Sequence, residues 1–155
     1  MNTPTKVYHY TAVVRWKPIA GSGVLRATSV AIDPGERPAL WFSARKTYEP
    51  TAYKNIREPS GNVRPGTYQD LFKYGGGALR FGVPPDGLVS WSQHRRDGGI
   101  SAKVAKGLER VAKRIGAEPR DWYVSYEPVP IANCTIEWQP EPHGPWLPFE
   151  PQAER

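Results

Sequence analysis

The chain has 155 residues, 39% of them hydrophobic, 23% charged and 12% aromatic, and its 21 basic and 15 acidic side chains leave a net charge of +6. That length points to one domain, the six Trp, eight Tyr and four Phe exclude intrinsic disorder, and no apolar run is long enough to span a membrane. The 17 Pro and 15 Gly predict short strands and shaped loops rather than a helical bundle.

Val7-Tyr8-His9-Tyr10-Thr11 is aromatic and β-branched, which predicts a first strand. A short helix follows, with Pro18 in its first turn and Gly21 and Gly23 at its end. Val24 to Arg26 reads as extended, and Asp33-Pro34-Gly35 as a turn. Ala39-Leu40-Trp41-Phe42-Ser43 predicts a second buried strand. Thr47 to Lys54 reads as the start of a helix, with Pro50 near its beginning. Residues 58–66 read as loop. Thr67 to Tyr74 predicts a short helix capped by Thr67. Gly75-Gly76-Gly77 breaks the chain before a strand over Ala78 to Val83. Ser101 to Ile115 is the clearest helix: Ser101 is its N-cap, Val104, Leu108, Val111 and Ile115 form one apolar stripe, and Gly116 follows its end. Gly107 within it marks a place where a neighbour can approach closely. Trp122 to Glu127 and Cys134 to Trp138 are the last two strands. Short strands with helices among them predict a single α+β domain over residues 1–138, with a mostly antiparallel, split sheet. Residues 139–155 read as a Pro-rich tail, extended or partly disordered, with Trp146 and Phe149 as candidate pins.

The charge is local. Between His94 and Arg120 stand eight basic and three acidic residues; the rest of the chain carries thirteen and twelve. Arg95, Arg96, Lys103, Lys106, Arg110, Lys113 and Arg114, with Trp91 for base stacking, therefore form a candidate contact for nucleic acid or an acidic protein partner. The bland counterpart is a solvated helix face. Cys134 stands alone, which excludes an internal disulfide and a cysteine-cluster metal site, and it reads as a buried, inert thiol. His9, His94 and His143 lack ligand spacing, so no metal is expected. The triple glycine lacks the Lys-Ser/Thr pair of a phosphate loop. A polar N-terminus and a lone cysteine predict a soluble, cytoplasmic protein.

The remaining chemistry is spread over three strands: His9-Tyr10-Thr11 on the first, Trp41-Phe42-Ser43 on the second with Tyr53 after it, and Glu127 on a late one. This ordered set resembles the ADP-ribosyltransferase-like fold in its His-Tyr-Glu branch, over residues 7 to 130. The resemblance implies an enzyme that consumes NAD, in a conflict setting such as phage against host, and transfers ADP-ribose to an acceptor. It implies Glu127 and His9 as catalytic residues and His9, Thr11, Trp41, Phe42, Ser43 and Tyr53 as NAD contacts. Breaking the nicotinamide–ribose bond develops positive charge on the sugar, which a fixed carboxylate stabilises, and an aromatic ring suits the leaving nicotinamide. The chain departs from the family pattern in having bulky Tyr10 after the histidine, Ser125 two positions before Glu127, and Pro128 directly after it. Glu49 and Glu137 are rival carboxylates. The RNA 2′-phosphotransferases share the fold but use several arginines around the cleft, where this chain has Arg15 and Arg80. The alternative is a non-catalytic inhibitor or binding protein that acts through residues 91–114. Each aromatic in the set would also serve as ordinary core.

Overall fold

A computed structural model describes residues 3–27, 33–53 and 55–150. Strand β1 (Val7–Ala12) leads through a 3-10 turn into α1 (Trp16–Ser22), β2 (Val24–Leu25) and β3 (Leu40–Ser43). A small hairpin, β4 (Ile56–Arg57) and β5 (Val63–Arg64), precedes α2 (Tyr68–Lys73) and β6 (Ala78–Val83). Then come β7 (Val89–Ser90), α3 (Trp91–Asp97), α4 (Ala102–Ile115), β8 (Trp122–Ser125), β9 (Val129–Pro130), β10 (Thr135–Gln139) and β11 (Leu147–Pro148). Seven strands join in one sheet, in the order β11-β10-β6-β1-β3-β8-β7, and every pairing in it is antiparallel. The chain is thus α+β, as its pattern of short strands and helices implied.

The sheet carries a core on each side. The pleat sends alternate side chains to opposite faces. On one face Val7, Leu40, Phe42, Leu79, Phe81 and Val83 pack with Leu25 of β2. On the other, Trp122 packs with Trp91 of α3, with Ile100 and Ala117, and with Ala105 and Ala112 of α4. β6 is buried along its whole length, as befits a strand flanked on both edges and covered on both faces.

Three predicted elements differ. Residues 47–53 form no helix; one turn closes there, with Ala52 N–H donating to the Glu49 carbonyl at 3.0 Å. The Glu49 carboxylate takes the Thr51 N–H at 3.1 Å and the Thr51 hydroxyl at 2.5 Å, which offers the backbone an alternative to helical bonds. Lys54 lies outside the described residues. The loop over residues 58–66 holds β5 and the turn of its hairpin. The apolar stripe of α4 is not its buried face: Leu108, Val111 and Ile115 are 38%, 40% and 44% exposed, while Ala105 and Ala112 are fully enclosed. Small residues let the helix backbone close on Trp91 and Trp122. The stripe lies beside that contact.

The tail from residue 140 onward folds back on the sheet. Leu147 and Pro148 pair with Trp138 and Glu137. Phe149 packs edge-on against Trp16 (5.1 Å between centroids) and Trp138 (6.0 Å), and Trp146 donates its indole N–H to the Thr47 carbonyl at 3.1 Å. Residues 151–155 lie outside the described residues.

Candidate functional site

The three strands that carry the motif residues are neighbours, in the order β1-β3-β8. Tyr8 stands opposite Ser43, which sets His9 beside Phe42; Phe42 in turn stands opposite Tyr123. Opposed residues share a face of the sheet, so His9, Phe42 and Tyr123 form a row across three strands. The His9 and Phe42 rings meet edge-on at 6.0 Å. Ser125 continues the same face along β8. Glu127 follows at the next alternate position, in the bend beyond the strand.

The pleat divides the rest of the predicted set. Trp41 and Ser43 face away from His9 and Phe42. Trp41 packs against Trp91 (5.9 Å), Trp122 (6.1 Å) and His94 (5.5 Å) in the second core. Phe42 is buried in the first core. Ser43 is enclosed and donates its hydroxyl to Glu49 at 2.8 Å. Tyr53 joins Tyr10, Thr11, Tyr48 and Glu49 around a cavity of only about 10 Å³, room for about one water. The Tyr53 hydroxyl is buried and has no hydrogen-bond partner among the described residues. Burial pushes the Tyr10 and Tyr53 phenols far above their ordinary range, so both stay neutral, and the Tyr10 hydroxyl donates to the Arg45 carbonyl. Tyr53 and His9 therefore do not bound one cleft, and Tyr10 fills space that a ligand ring would need.

The carboxylates separate clearly. Glu49 is held by Ser43 and Thr51. Glu137 pairs with Arg80 at 3.0 Å. Glu127 is exposed, and its side chain has no hydrogen-bond or ion-pair partner among the described residues; its backbone alone is tied, through Ser125. His9 Nδ1 lies 2.8 Å from the Trp41 carbonyl. A carbonyl only accepts, so Nδ1 carries a proton.

The basic segment also divides. Trp91 is 4% exposed, and its indole N–H donates to Glu109 at 2.9 Å. It cannot stack on a base without leaving the core, which corrects its expected role. Arg95 is bonded to the same Glu109 at 2.8 Å, and Arg96 lies 3.5 Å from Asp97. Lys103, Lys106, Arg110, Lys113 and Arg114 are exposed and enter no ion pair among the described residues.

Several polar groups escape a reading of the sequence. Tyr123 shares the face of His9 and Phe42; the signal was its position, four residues before Glu127 on an alternating strand. His94 is fully buried, with Nε2 2.7 Å from Glu36 and Nδ1 2.6 Å from the Tyr126 hydroxyl. Those partners lie 58 and 32 residues away, beyond any local pattern. An open cleft of about 690 Å³ lies at the C-terminal end of α4 between Arg45, Lys113, Arg120 and Asp121. Burial, with Glu49 nearby, raises the Asp121 carboxyl above its usual range. Burial pushes the Cys134 thiol up to about 11, so it stays protonated and a poor nucleophile. Among the described residues, no group of His, Cys, Asp and Glu could hold a metal, and no helix is long and apolar enough to cross a membrane.

The chain matches no family model, no curated protein and no solved structure. Any function must therefore be argued from the arrangement itself.

Proposed function

We propose that the chain is an ADP-ribosyltransferase-like protein that uses NAD as a substrate, on the face of the sheet bearing His9, Tyr123 and Glu127. The observation that supports this reading is the adjacency of β1, β3 and β8, which the sequence placed far apart. His9 and Tyr123 stand level on one face of these strands, and Glu127, whose side chain has no hydrogen-bond or ion-pair partner among the described residues, follows β8 in the bend beyond it. These types fit the dinucleotide on one side only. His9, held through Nδ1 on the Trp41 carbonyl, brings to that face an imidazole of the kind that contacts a ribose hydroxyl. Tyr123 is half-buried and level with His9, and it takes the ring-stacking role that Tyr53, on the other side of the sheet, does not reach. Glu127 lies at the strand end, where a carboxylate can hold a second hydroxyl and stabilise charge on the sugar. The nicotinamide leaves with the electron pair of the broken C–N bond. The acceptor supplies the lone pair of the new bond and gives up a proton.

The test is NAD consumption and NAD-dependent thermal shift. Glu127→Gln is expected to lower turnover at least about a hundredfold, the scale of losing one charge-stabilising group. His9→Ala is expected to weaken the NAD-dependent rise in melting temperature. Glu127→Gln should melt, without NAD, close to the parent. Absence of turnover and of any NAD shift in the parent protein would sink the reading.

A further inference from the structure

We infer that the outer ridge of α4 docks an acidic, amphipathic helix of a partner protein, with Gly107 at the point of closest approach. Three rows run along this helix at the spacing that places residues on one face. Ala105 and Ala112 form the row pressed on the core. Beside it lies the apolar row Val104, Leu108, Val111 and Ile115, whose last three members stand in water. Next comes Lys103, Gly107, Arg110 and Arg114, with Lys106 and Lys113 beyond. The one acid of the helix, Glu109, lies on the other side and is engaged by Trp91 and Arg95. An apolar row flanked by unpaired cations is complementary to a helix with leucine-like residues on one side and carboxylates on the next.

Gly107 supplies the second observation. Glycine is the poorest non-proline helix former, so its place in the middle of α4 calls for a reason. Among the described residues there is none: a Cβ added there would meet nothing within 4 Å. By contrast, a Cβ on Gly98 would strike the His94 ring at 2.3 Å. Gly107 opens a notch in the cationic row, beside Val104 and Val111 of the apolar row, where another helix backbone can come close. A phosphate backbone would use the cations and leave both the notch and the apolar row unused. This inference does not depend on the reading of the NAD face.

The test uses the full chain and a labelled synthetic peptide of about 18 residues, five helical turns, with leucine along one face and glutamate elsewhere. A scrambled peptide of the same composition, a DNA duplex of about 20 base pairs, and vesicles of phosphatidylcholine with phosphatidylserine serve as rivals. The amphipathic peptide is expected to bind best, and added salt should weaken it. Gly107→Leu should melt at or above the parent temperature yet bind the peptide at least about tenfold more weakly. Leu108→Ser, and Arg110→Glu combined with Arg114→Glu, should do the same without loss of fold. Unchanged affinity in Gly107→Leu overturns the proposal, as does equal binding of the scrambled peptide or no peptide binding at all. Tighter binding of the duplex or the vesicles through the same cations overturns it in favour of that ligand.

Discussion

Asp70 shows how much one side chain can hold. It takes two hydrogen bonds from the Arg64 guanidinium, at 2.7 and 2.8 Å, and one from the Thr67 N–H at 2.7 Å, at the start of α2. The Arg64 bonds above all, and the Thr67 bonds after them, hold its carboxyl well below the usual carboxylate range. A carboxyl whose folded pKa lies below its unfolded value stabilises the fold above the unfolded pKa and ceases to do so as pH falls. Asp70→Asn should therefore flatten the loss of stability below about pH 4. Asp70→Ala should cost about 1–2 kcal/mol at neutral pH, the scale of a lost cap. Urea denaturation at pH 7 and below pH 4 checks both; an unchanged acid limb in the Asn variant would refute the first. His94 is the stronger case. Its removal strands the Glu36 carboxylate and the Tyr126 hydroxyl in a nearly dry site, so His94→Ala should cost about 3 kcal/mol. The capping residue was legible from Thr67 and the apolar pair that follows. The His94 partners were not, because only the folded chain brings residues so distant together.

At the scale of elements, α4 separates two things that a helical wheel merges. Its caps were legible: the Ser101 hydroxyl accepts the Val104 N–H at 3.2 Å, and Gly116 adopts φ +83° just past the end. Its orientation was not. Apolarity pointed to the Val104–Ile115 stripe, but against the two large indoles, Trp91 and Trp122, it is Ala105 and Ala112 that are fully buried, with Val104 packed part-buried beside them. Leu108→Ser should then change stability by less than about 0.5 kcal/mol, as at a surface position. Ala105→Leu should cost about 1–3 kcal/mol by overpacking. If equilibrium unfolding ranked the two the other way, the buried face would be misassigned. The same logic divides the motif strands. Trp41-Phe42-Ser43 is legible as a buried strand, yet adjacent residues on a strand cannot face one cleft. Alternation admits Phe42 with His9 and excludes Trp41 and Ser43, and burial then removes Phe42 from any ligand. Tyr123 and Glu127 remain, one residue unseen and one foreseen in the sequence.

At the scale of the whole molecule, the Pro-rich tail acts as a strap across the sheet rather than an appendage. Proline confines it to short, extended pieces, and β11 adds an edge strand of only two residues. Its aromatic side chains hold it. The Arg80 guanidinium lies between the Tyr8 ring (4.1 Å) and the Trp146 ring (4.3 Å) while bonded to Glu137. Phe149 closes over Trp16, which itself stacks near Phe81 of the first core (6.4 Å). Residues 146–149 therefore reach both faces of the sheet, Trp146 at β1 and β6 and Phe149 at β10. A cation between two rings gains about 1–2 kcal/mol where water is mostly excluded, and half-burying an indole adds a similar amount. Trp146→Ala should lower stability by about 2–3 kcal/mol, and Phe149→Ala by about 1–2 kcal/mol. Cutting the chain after Gly144 should exceed either, because it also removes β11 and exposes the edge of β10. Hydrogen exchange gives the spatial readout: amides of β10 should lose protection on truncation, while those of β3 and β8, three and four strands away, keep theirs. If truncation left melting temperature and β10 exchange unchanged, the tail would be no part of the fold.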